Sequence, residues 1–367
     1  MPFLDLGHVH APIRAEILAR ISALIDRGDF INGDAVAAFE RDFAKLCRTG
    51  HCVGLASGLD ALRLGLLAAG IEPGDEVVVP ANTFIATFEA ITQAGGIPVP
   101  ADVGWSDYNL DPAAAERALG PRTRFLLPVH LYGQLADMHA LSAIAGAADV
   151  QVVEDACQAH GAQRDGLGPG AGGRVAAFSF YPGKNLGAMG DAGALATDDG
   201  DLAAVVRALR EHGQRVKHDH AWIGWTARLD TIQAIVLQCK LPGLAAANAQ
   251  RRRLAALYDE ALTAVGDLVL PPVPAGSRPV RHLYPVRTRD PGGLARRLAS
   301  EGIATGRHYP QPAHLSGAYA HLGLGPGSFP VTETLARELL SLPIYPGMTE
   351  GQLTLVTDRI RDHFRGG

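Results

Sequence analysis

Short apolar runs alternate with helical patterns through the middle of the chain. Six runs of four to seven residues are almost continuously hydrophobic, over 76–79, 97–100, 124–130, 150–154, 175–180 and 192–197. Such runs are typical of strands covered on both faces. Apolar residues recur at helical spacing between several of them, over 84–93, 112–119 and 138–147. This alternation predicts an α/β fold with a mostly parallel central sheet flanked by helices.

The last third of the chain predicts a second, smaller α/β unit. A long helical region over 230–265, preceded by a helix over 202–211, leads into a Pro-rich seam over 271–279. Further strand patterns cover 281–287 and 302–308, and helical patterns cover 294–300, 331–340 and 350–364. We therefore expect a large domain over 1–240 that includes the N-terminal segment, and a long helix with a small C-terminal domain over 241–367.

Composition and charge exclude several classes of protein. The 367 residues are 47% hydrophobic and 19% charged, as in globular proteins. A net charge of −5 with scattered basic residues disfavours a nucleic-acid partner. The short basic run Arg251-Arg252-Arg253 lies in a helical stretch and is predicted to be a solvated helix face. The four cysteines form no C-x-x-C pair, which predicts neither a zinc site nor a disulfide framework.

No signal-peptide pattern opens the chain, and its apolar runs are too short to span a bilayer. We therefore expect a cytoplasmic protein without a membrane partner. Three histidines lie in a polar stretch, but their spacing matches no helical or finger-type metal site, so no metal is expected; they are His212, His218 and His220.

A helix that begins with small residues is a candidate phosphate site. The segment SGLDALRLGLL makes Ser57 a plausible N-cap and puts Gly58 and Leu59 in the first helical turn. Free N–H groups and the positive end of the helix dipole attract phosphate there. Taken alone, the pattern is more typical of an ordinary N-cap.

Two charged residues follow buried strands. Asp155 ends the run VVED, where open α/β sheets bind their ligands. An acid in that place can fix a protonated pyridine nitrogen, but it can equally cap a helix or bind a metal. Lys184 lies in a Gly-rich loop after the strand that contains Ser179. Partial desolvation there would free its amine for a Schiff base, although the loop alone is compatible with a surface lysine.

In order and spacing these motifs resemble the DegT/DnrJ/EryC1/StrS aminotransferases. The shared segments are SGLDAL, PANTFIAT, EDACQAHGA, FSFYPGKNLGAMGDAGAL, GWTARLD, HYPQPAH and LSLPIYP. The resemblance covers nearly the whole chain. It implies a fold-type I enzyme that uses pyridoxal 5′-phosphate, acts on nucleotide-linked ketosugars and forms a homodimer with composite active sites.

The resemblance also implies roles for individual residues. Lys184 would form the Schiff base, and Asp155 would hold the proton on the pyridine nitrogen so that the ring accepts electrons. The freed Lys184 amine would then act as general base and acid. The remaining cofactor contacts would come from the backbone of Gly58 and Leu59 and from Phe84, Gln158 and Ser179.

Two positions depart from the pattern of many relatives. Thr226 stands in GWTARLD where they have an asparagine that reaches the phosphate of the neighbouring subunit's cofactor. Thr226 is expected to make that contact less well. Leu59 stands where many relatives have threonine, which removes a hydroxyl group but leaves the backbone N–H.

The segments HGQRVKH, GRHYPQPAHL and SLPIYP are most similar to the branch that aminates C-3 of dTDP-3-keto-6-deoxyhexoses. The usual amino donor in the family is L-glutamate or L-glutamine. In that branch Tyr181, His308 and Tyr309 would contact the sugar nucleotide, although Tyr181 can also simply pack and His308 can end a strand. Arg228 is a candidate for binding the donor's carboxylate.

Other functions stay open at this point. The enzyme can act at C-4 of a nucleotide sugar or on a keto-cyclitol. A dehydratase on the same scaffold has histidine in place of the Schiff-base lysine, and Lys184 disfavours it. A non-catalytic regulator that binds pyridoxal 5′-phosphate is the alternative from another class. The intact Asp155, Gln158, Ser179 and Lys184 disfavour it, whereas Thr226 leaves it open.

Overall fold

The computed structural model describes residues 1–365 and has a seven-stranded sheet at its centre. In chain order the strands are β1 (His51–Leu55), β2 (Glu76–Pro80), β3 (Ile97–Ala101), β4 (Thr123–Leu126), β5 (Gln151–Asp155), β6 (Gln163–Arg164), β7 (Val175–Ser179), β8 (Gly193–Thr197), β9 (Gln214–Val216), β10 (Asp219–His220), β11 (Ser277–Arg278), β12 (Tyr284–Arg287) and β13 (Leu339–Leu342). The central sheet has the order β1-β8-β7-β5-β4-β2-β3, and β8 alone in it runs antiparallel to its neighbours. The predicted α/β fold with a mostly parallel sheet is confirmed.

Helices cover both faces of this sheet. In chain order they are α1 (Leu6–His10), α2 (Arg14–Arg27), α3 (Asp34–Cys47), α4 (Gly58–Ala68), α5 (Ile85–Gln93), α6 (Pro112–Ala118), α7 (Met138–Ala147), α8 (Gly200–Leu209), α9 (Thr231–Lys240), α10 (Leu244–Leu262), α11 (Pro291–Ser300), α12 (Pro330–Glu338) and α13 (Glu350–Arg365). Helix α4 packs on β7 and β8, whereas α3 packs on β1 and α9.

The burial of β5 and its neighbouring strands fixes the positions of the residues at the carboxyl end of β5. Val153, Glu154 and Asp155 are all buried, and β5 pairs in parallel with β4 and β7. Apolar side chains on the two sheet faces pack into separate clusters, one around α4 and α5 and one around α3 and α9. The carboxyl end of the sheet is therefore a rigid edge on which side chains can be positioned.

The C-terminal region has its own apolar core between β12, β13 and α10, α11 and α13. The prediction of a strand over 302–308 is wrong. Only Gly306 in that segment pairs with another strand residue, Ser341, and Gly302 breaks the extended run with φ +71°. The helix predicted to Leu340 ends at Glu338, because Leu339–Leu342 pairs with β12. The domain boundary at 240/241 stays a prediction.

The helical region predicted over 230–265 is helical but interrupted. Helix α9 ends at Lys240, a 3-10 turn covers Leu241–Gly243, and α10 follows. Arg251 of α10 is only 3% exposed, so the prediction that the Arg251-Arg252-Arg253 run is a solvated face is wrong for its first member. Arg251 lies on the side of α10 that packs against the backbone of 281–282 and Ile344. Among residues 1–365 no helix is long and apolar enough to cross a membrane.

Candidate active site

The carboxyl ends of β5 and β7 meet the start of α4 at one edge of the sheet. Ser179 is the last residue of β7 and Gly58 is the first of α4. A Cβ added to Gly58 would lie 2.7 Å from Ser179 Cβ and 2.7 Å from Cys157 Sγ. Only glycine lets the helix begin this close to β7. The residues predicted to hold a phosphate therefore lie together, next to the end of β5.

The start of α4 offers unpaired backbone donors. The hydroxyl of Ser57 caps the helix by accepting from Asp60 N at 3.0 Å. The first intrahelical bond runs from Ala61 N to Ser57 O at 3.0 Å, so the amides of Gly58 and Leu59 precede it. These amides, together with the helix dipole, suit a phosphate group.

The carboxylate of Asp155 is buried and fixed by two donors. Its Oδ2 accepts from Thr87 Oγ1 at 2.8 Å, and its Oδ1 accepts from Cys157 N at 3.1 Å. The hydroxyls of Thr87 and Thr83 lie 2.8 Å apart. This carboxylate is held in one orientation and can accept one further proton donor at each oxygen.

Gln158 links three elements near Asp155. Its Oε1 accepts from Tyr132 N at 2.7 Å, and its Nε2 donates to Tyr309 Oη at 3.1 Å. The Tyr309 ring lies 5.3 Å from the ring of Phe84, which is 51% exposed. The structure thus brings Gln158, Tyr309 and Phe84 together, as the resemblance implied, although their roles stay predictions.

Lys184 lies in a tight loop after β7. Its N–H donates to Tyr181 O at 2.8 Å, and Ala188 N donates to Phe180 O at 2.7 Å, which closes the loop. Lys184 is half-buried, and desolvation lowers the pKa of its amine. The negative charge of the nearby Asp155 carboxylate offsets part of that shift. The amine is therefore easier to deprotonate than that of a solvated lysine, as nucleophilic or general-base chemistry requires.

The positive charge of Lys184 contributes to the lowered pKa values of two imidazoles, those of His160 and His308. Burial and then Lys184 lower the pKa of His160 to about 3 and that of His308 to about 4. Both rings are therefore neutral at neutral pH. His308 Nδ1 lies 2.9 Å from Ser341 Oγ, and its ring stacks on Phe3 with centroids 5.7 Å apart. His308 is not in a strand, so the reading of it as a strand-end residue is wrong.

Other predicted site residues lie on the periphery. Tyr181 is 59% exposed beside the Lys184 loop. Thr226 is exposed, with its Oγ1 3.1 Å from His212 Nε2. Arg228 donates to Glu211 Oε1 at 2.6 Å, so its guanidinium is engaged in an ion pair. These last contacts group Thr226 and Arg228 with the base of the β9–β10 hairpin rather than with Asp155.

A buried pair behind Asp155 was not found from the sequence. His130 and Glu154 are both fully buried, with Nε2 and Oε2 2.8 Å apart. Glu154 also accepts from the backbone amides of Gly170 and Gly172 at 2.9 and 3.2 Å, and His130 N donates to Asp155 O at 2.9 Å. The hydrogen bonds of this pair fix the position of the end of β5. The sequence did contain one signal for this pair. A second carboxylate, Glu154, lies in the buried run VVED, and a buried carboxylate needs a hydrogen-bonding or charged partner.

The chain is similar to known proteins over nearly its whole length. Residues 12–361 match the model of the DegT/DnrJ/EryC1/StrS aminotransferase family. The dTDP-3-amino-3,4,6-trideoxy-alpha-D-glucose transaminase of Streptomyces venezuelae is 46% identical, over 99% of this chain and 96% of the relative.

Two solved structures extend this similarity to the fold. The crystal structure of S. venezuelae DesV in complex with a ketimine intermediate matches with a TM-score of 0.96 at 46% identity, over 98% of this chain and 97% of DesV. Bacillus subtilis NtdA with bound cofactor PMP matches with a TM-score of 0.92 at 31% identity, over 100% of this chain and 85% of NtdA. Each match covers both the edge of the sheet where β5 and β7 end and the C-terminal region.

Proposed function

We propose a reaction from the premise that the chain belongs to the DegT/DnrJ/EryC1/StrS aminotransferase family and is a transaminase. The enzyme transfers an amino group from L-glutamate or L-glutamine to C-3 of a dTDP-3-keto-6-deoxyhexose, with pyridoxal 5′-phosphate as its cofactor. The similarity to the S. venezuelae dTDP-3-amino-3,4,6-trideoxy-alpha-D-glucose transaminase, at 46% identity, supports this acceptor. The observation that best supports the proposal is that Lys184, Asp155 and the start of α4 at Gly58 lie together at one edge of the sheet.

The residues present fit the cofactor. Gly58 leaves a space at the start of α4 that a Cβ would fill, and the amides there suit a phosphate. Asp155 suits a protonated ring nitrogen, and Phe84 and Gln158 suit the ring and its oxygen. When bound, the cofactor supplies a protonated ring that accepts electrons from a carbon that loses a proton.

The chain's own residues position and move protons. Asp155, whose carboxylate is oriented by hydrogen bonds from Thr87 Oγ1 and Cys157 N, would accept a hydrogen bond from the protonated ring nitrogen and so keep the proton there. When it is free, the Lys184 amine, with its lowered pKa, would take the proton from Cα of the amino donor as general base and give it back as general acid. In the second half-reaction the same amine would give a proton to C-3 of the sugar.

We also assign a homodimer with composite sites. The β9–β10 hairpin and the segment after it expose apolar side chains, with Val216 65%, Trp222 39% and Ile223 89% exposed. Exposed apolar patches of this kind mark interfaces. Thr226 and His212 lie at the base of this hairpin, 3.1 Å apart, where they would approach the partner's phosphate site.

The test separates the two half-reactions. Purified protein loaded with pyridoxal 5′-phosphate is mixed with L-glutamate, and 2-oxoglutarate and the loss of the visible cofactor absorbance are measured. A dTDP-3-keto-6-deoxyhexose is then added, and the aminosugar and the return of the absorbance are measured. Amination at C-4 in place of C-3, or an unreactive cofactor, would contradict the proposal.

A further inference from the structure

A cavity of about 280 Å³ lies beside the Lys184 loop, away from the strand-end residues. Pro182, Lys184 and Asn185 line it, but Asp155, Gln158, Ser179 and Phe84 do not. The volume compares with roughly 30 Å³ for one water in the liquid, so a small organic molecule fits. The cavity is therefore a second space that shares the lysine loop with the candidate active site.

The walls of the cavity are mostly apolar. Leu4, Leu6, Val9 and Ile13 come from the N-terminal segment and its first helices, and Leu244 and Ala247 come from α10. Lys240 and Arg251 supply the cationic groups on the side of α9 and α10. A space with apolar walls and one charged end suits an amphipathic ion.

Lys240 has no carboxylate partner among the described residues. Its Nζ donates to Gly187 O at 2.5 Å and lies 3.3 Å from His10 Nε2. Burial, and then the positive charge of Arg251, lower the pKa of Lys240 to about 8. The ammonium is therefore held by neutral acceptors alone, which leaves its charge uncompensated.

Arg251, too, has no carboxylate partner among the described residues. It is 3% exposed, and its Nη1 donates only to the carbonyls of Arg281, His282 and Ile344, at 3.3, 3.3 and 2.8 Å. Its Nε is buried without a hydrogen-bond partner. Burial lowers the pKa of this guanidinium to about 10, with no carboxylate to oppose the shift. Buried cations are normally paired, so an anion is the missing group.

The carboxylates on neighbouring elements are engaged elsewhere. Glu16 of α2 lies 3.6 Å from Arg20 and accepts from Cys239 Sγ at 3.4 Å. Asp5 caps α1 by accepting from His8 N at 2.9 Å. Neither supplies the negative charge that Lys240 and Arg251 lack.

We propose that this cavity binds a small organic carboxylate ion. Its negative end lies between Lys240 and Arg251, and its carbon chain lies against Leu244 and Ala247. The apolar walls favour an organic acid over inorganic phosphate, which would leave them uncovered. The proposal depends on Lys240 and Arg251, which the proposed amino transfer does not use, so the two proposals can be tested separately.

Binding of glutarate to the enzyme loaded with pyridoxal 5′-phosphate tests the site, measured by isothermal titration calorimetry. Glutarate has neither an amino nor a keto group, so it cannot be transaminated. Lys240→Met removes the ammonium, and Ala247→Leu fills the apolar end without touching a charge. We expect each change to weaken glutarate binding by about tenfold or more.

Matched controls separate the cavity from general effects. Lys45→Met removes an exposed lysine whose Nζ lies 2.9 Å from Asp42, and Ala246→Leu changes an exposed position next to Ala247 on α10. Both controls should bind glutarate as the unchanged protein does. If Lys240→Met does not fold, Ala247→Leu carries the test alone.

Three results would overturn the proposal. The first is that the unchanged protein does not bind glutarate. The second is that both Ala247→Leu and Lys240→Met bind glutarate with full affinity, which would place glutarate elsewhere. The third is that inorganic phosphate binds with the same dependence on Lys240 while glutarate does not. Measuring the L-glutamate half-reaction on the same preparations keeps a failure of this site distinct from a failure of the transaminase.

Discussion

Lys184 and Lys240 are both half-buried and both attached to the loop after β7, yet they have different surroundings. Lys184 belongs to the loop, and the negative charge of Asp155 opposes the lowering of its pKa by burial. Lys240 reaches the loop through Gly187 O, and its charged neighbour, Arg251, lowers its pKa further. Burial acts on both amines in the same direction, so the neighbouring charges make the difference.

This difference separates two kinds of site. A lysine beside a carboxylate that is itself oriented by Thr87 has the elements of proton transfer in place. Lys240, beside a buried arginine, has no carboxylate partner among the described residues, and its surroundings favour binding an anion. The following changes test the contrast, beginning with the largest expected effect.

Replacing Lys184 should have the largest effect. Lys184→Ala removes the amine that we propose to bear the cofactor and move the protons, so turnover should fall by roughly four orders of magnitude or more. The visible absorbance of the lysine-bound cofactor should also disappear. Lys45→Ala, at an exposed lysine, is the control and should behave as the unchanged protein does. Retained activity in Lys184→Ala would refute the mechanism.

Replacing Asp155 should come second. Asp155→Ala removes the carboxylate that we propose to hold the proton on the ring nitrogen, and we expect kcat to fall by roughly 10²- to 10³-fold. Binding of pyridoxal 5′-phosphate, measured by equilibrium dialysis, should weaken in the same variant. Weaker binding with unchanged kcat would mean that Asp155 only anchors the cofactor.

Replacing Thr87 should have a smaller effect through Asp155. Thr87→Val deletes the hydroxyl that donates to Asp155 Oδ2 at 2.8 Å, which frees the carboxylate to turn. A hydrogen bond to a charged group is worth about 1.5–3 kcal/mol, so kcat should fall by about tenfold to a hundredfold. Thr87→Ser keeps the donor and should restore most of kcat, whereas equal losses in both variants would indicate a packing role.

The sequence predicted the residues that would carry the chemistry of this site better than it predicted the residues that surround them. Asp155, Gln158, Ser179 and Lys184 stand in contiguous motifs, and β5, β7 and α4 bring them to one edge as the strand pattern implied. Thr87 was missed because its bond to Asp155 spans 68 positions, and no local pattern records such a contact. The pair of His130 and Glu154 was missed for the same reason.

Errors in the fold arose where tertiary contacts override local pattern. Strand β1, with the sequence HCVGL, was not predicted, since His51 and Gly54 interrupt a short apolar run that pairing with β8 stabilises. Arg251 looked solvated because arginines in a helical run usually are, and only the packing of α10 against the C-terminal region buries it. The contrast between the two lysines was therefore invisible in the sequence.

The smallest expected effect is on stability and concerns Lys240. Its pKa is about 8 in the folded chain and 10.5 without burial, so folding releases its proton between those values. The protonated amine therefore opposes folding below pH 8, and the opposition disappears as the pH rises towards 10.5. Lys240→Met carries no such penalty. Its melting temperature relative to the unchanged protein should be highest near neutral pH and should fall by roughly two to four degrees at about pH 10.

Thermal denaturation of the cofactor-loaded enzyme at the two pH values, without added carboxylates, measures this difference. Lys45→Met is the reference, because it removes an exposed amine by the same substitution. The comparison also sharpens the contrast with Lys184, which lies near the carboxylate of Asp155. If Lys240→Met and Lys45→Met show the same pH dependence, Lys240 has a counter-charge after all, and the cavity beside it has no unmet need for an anion.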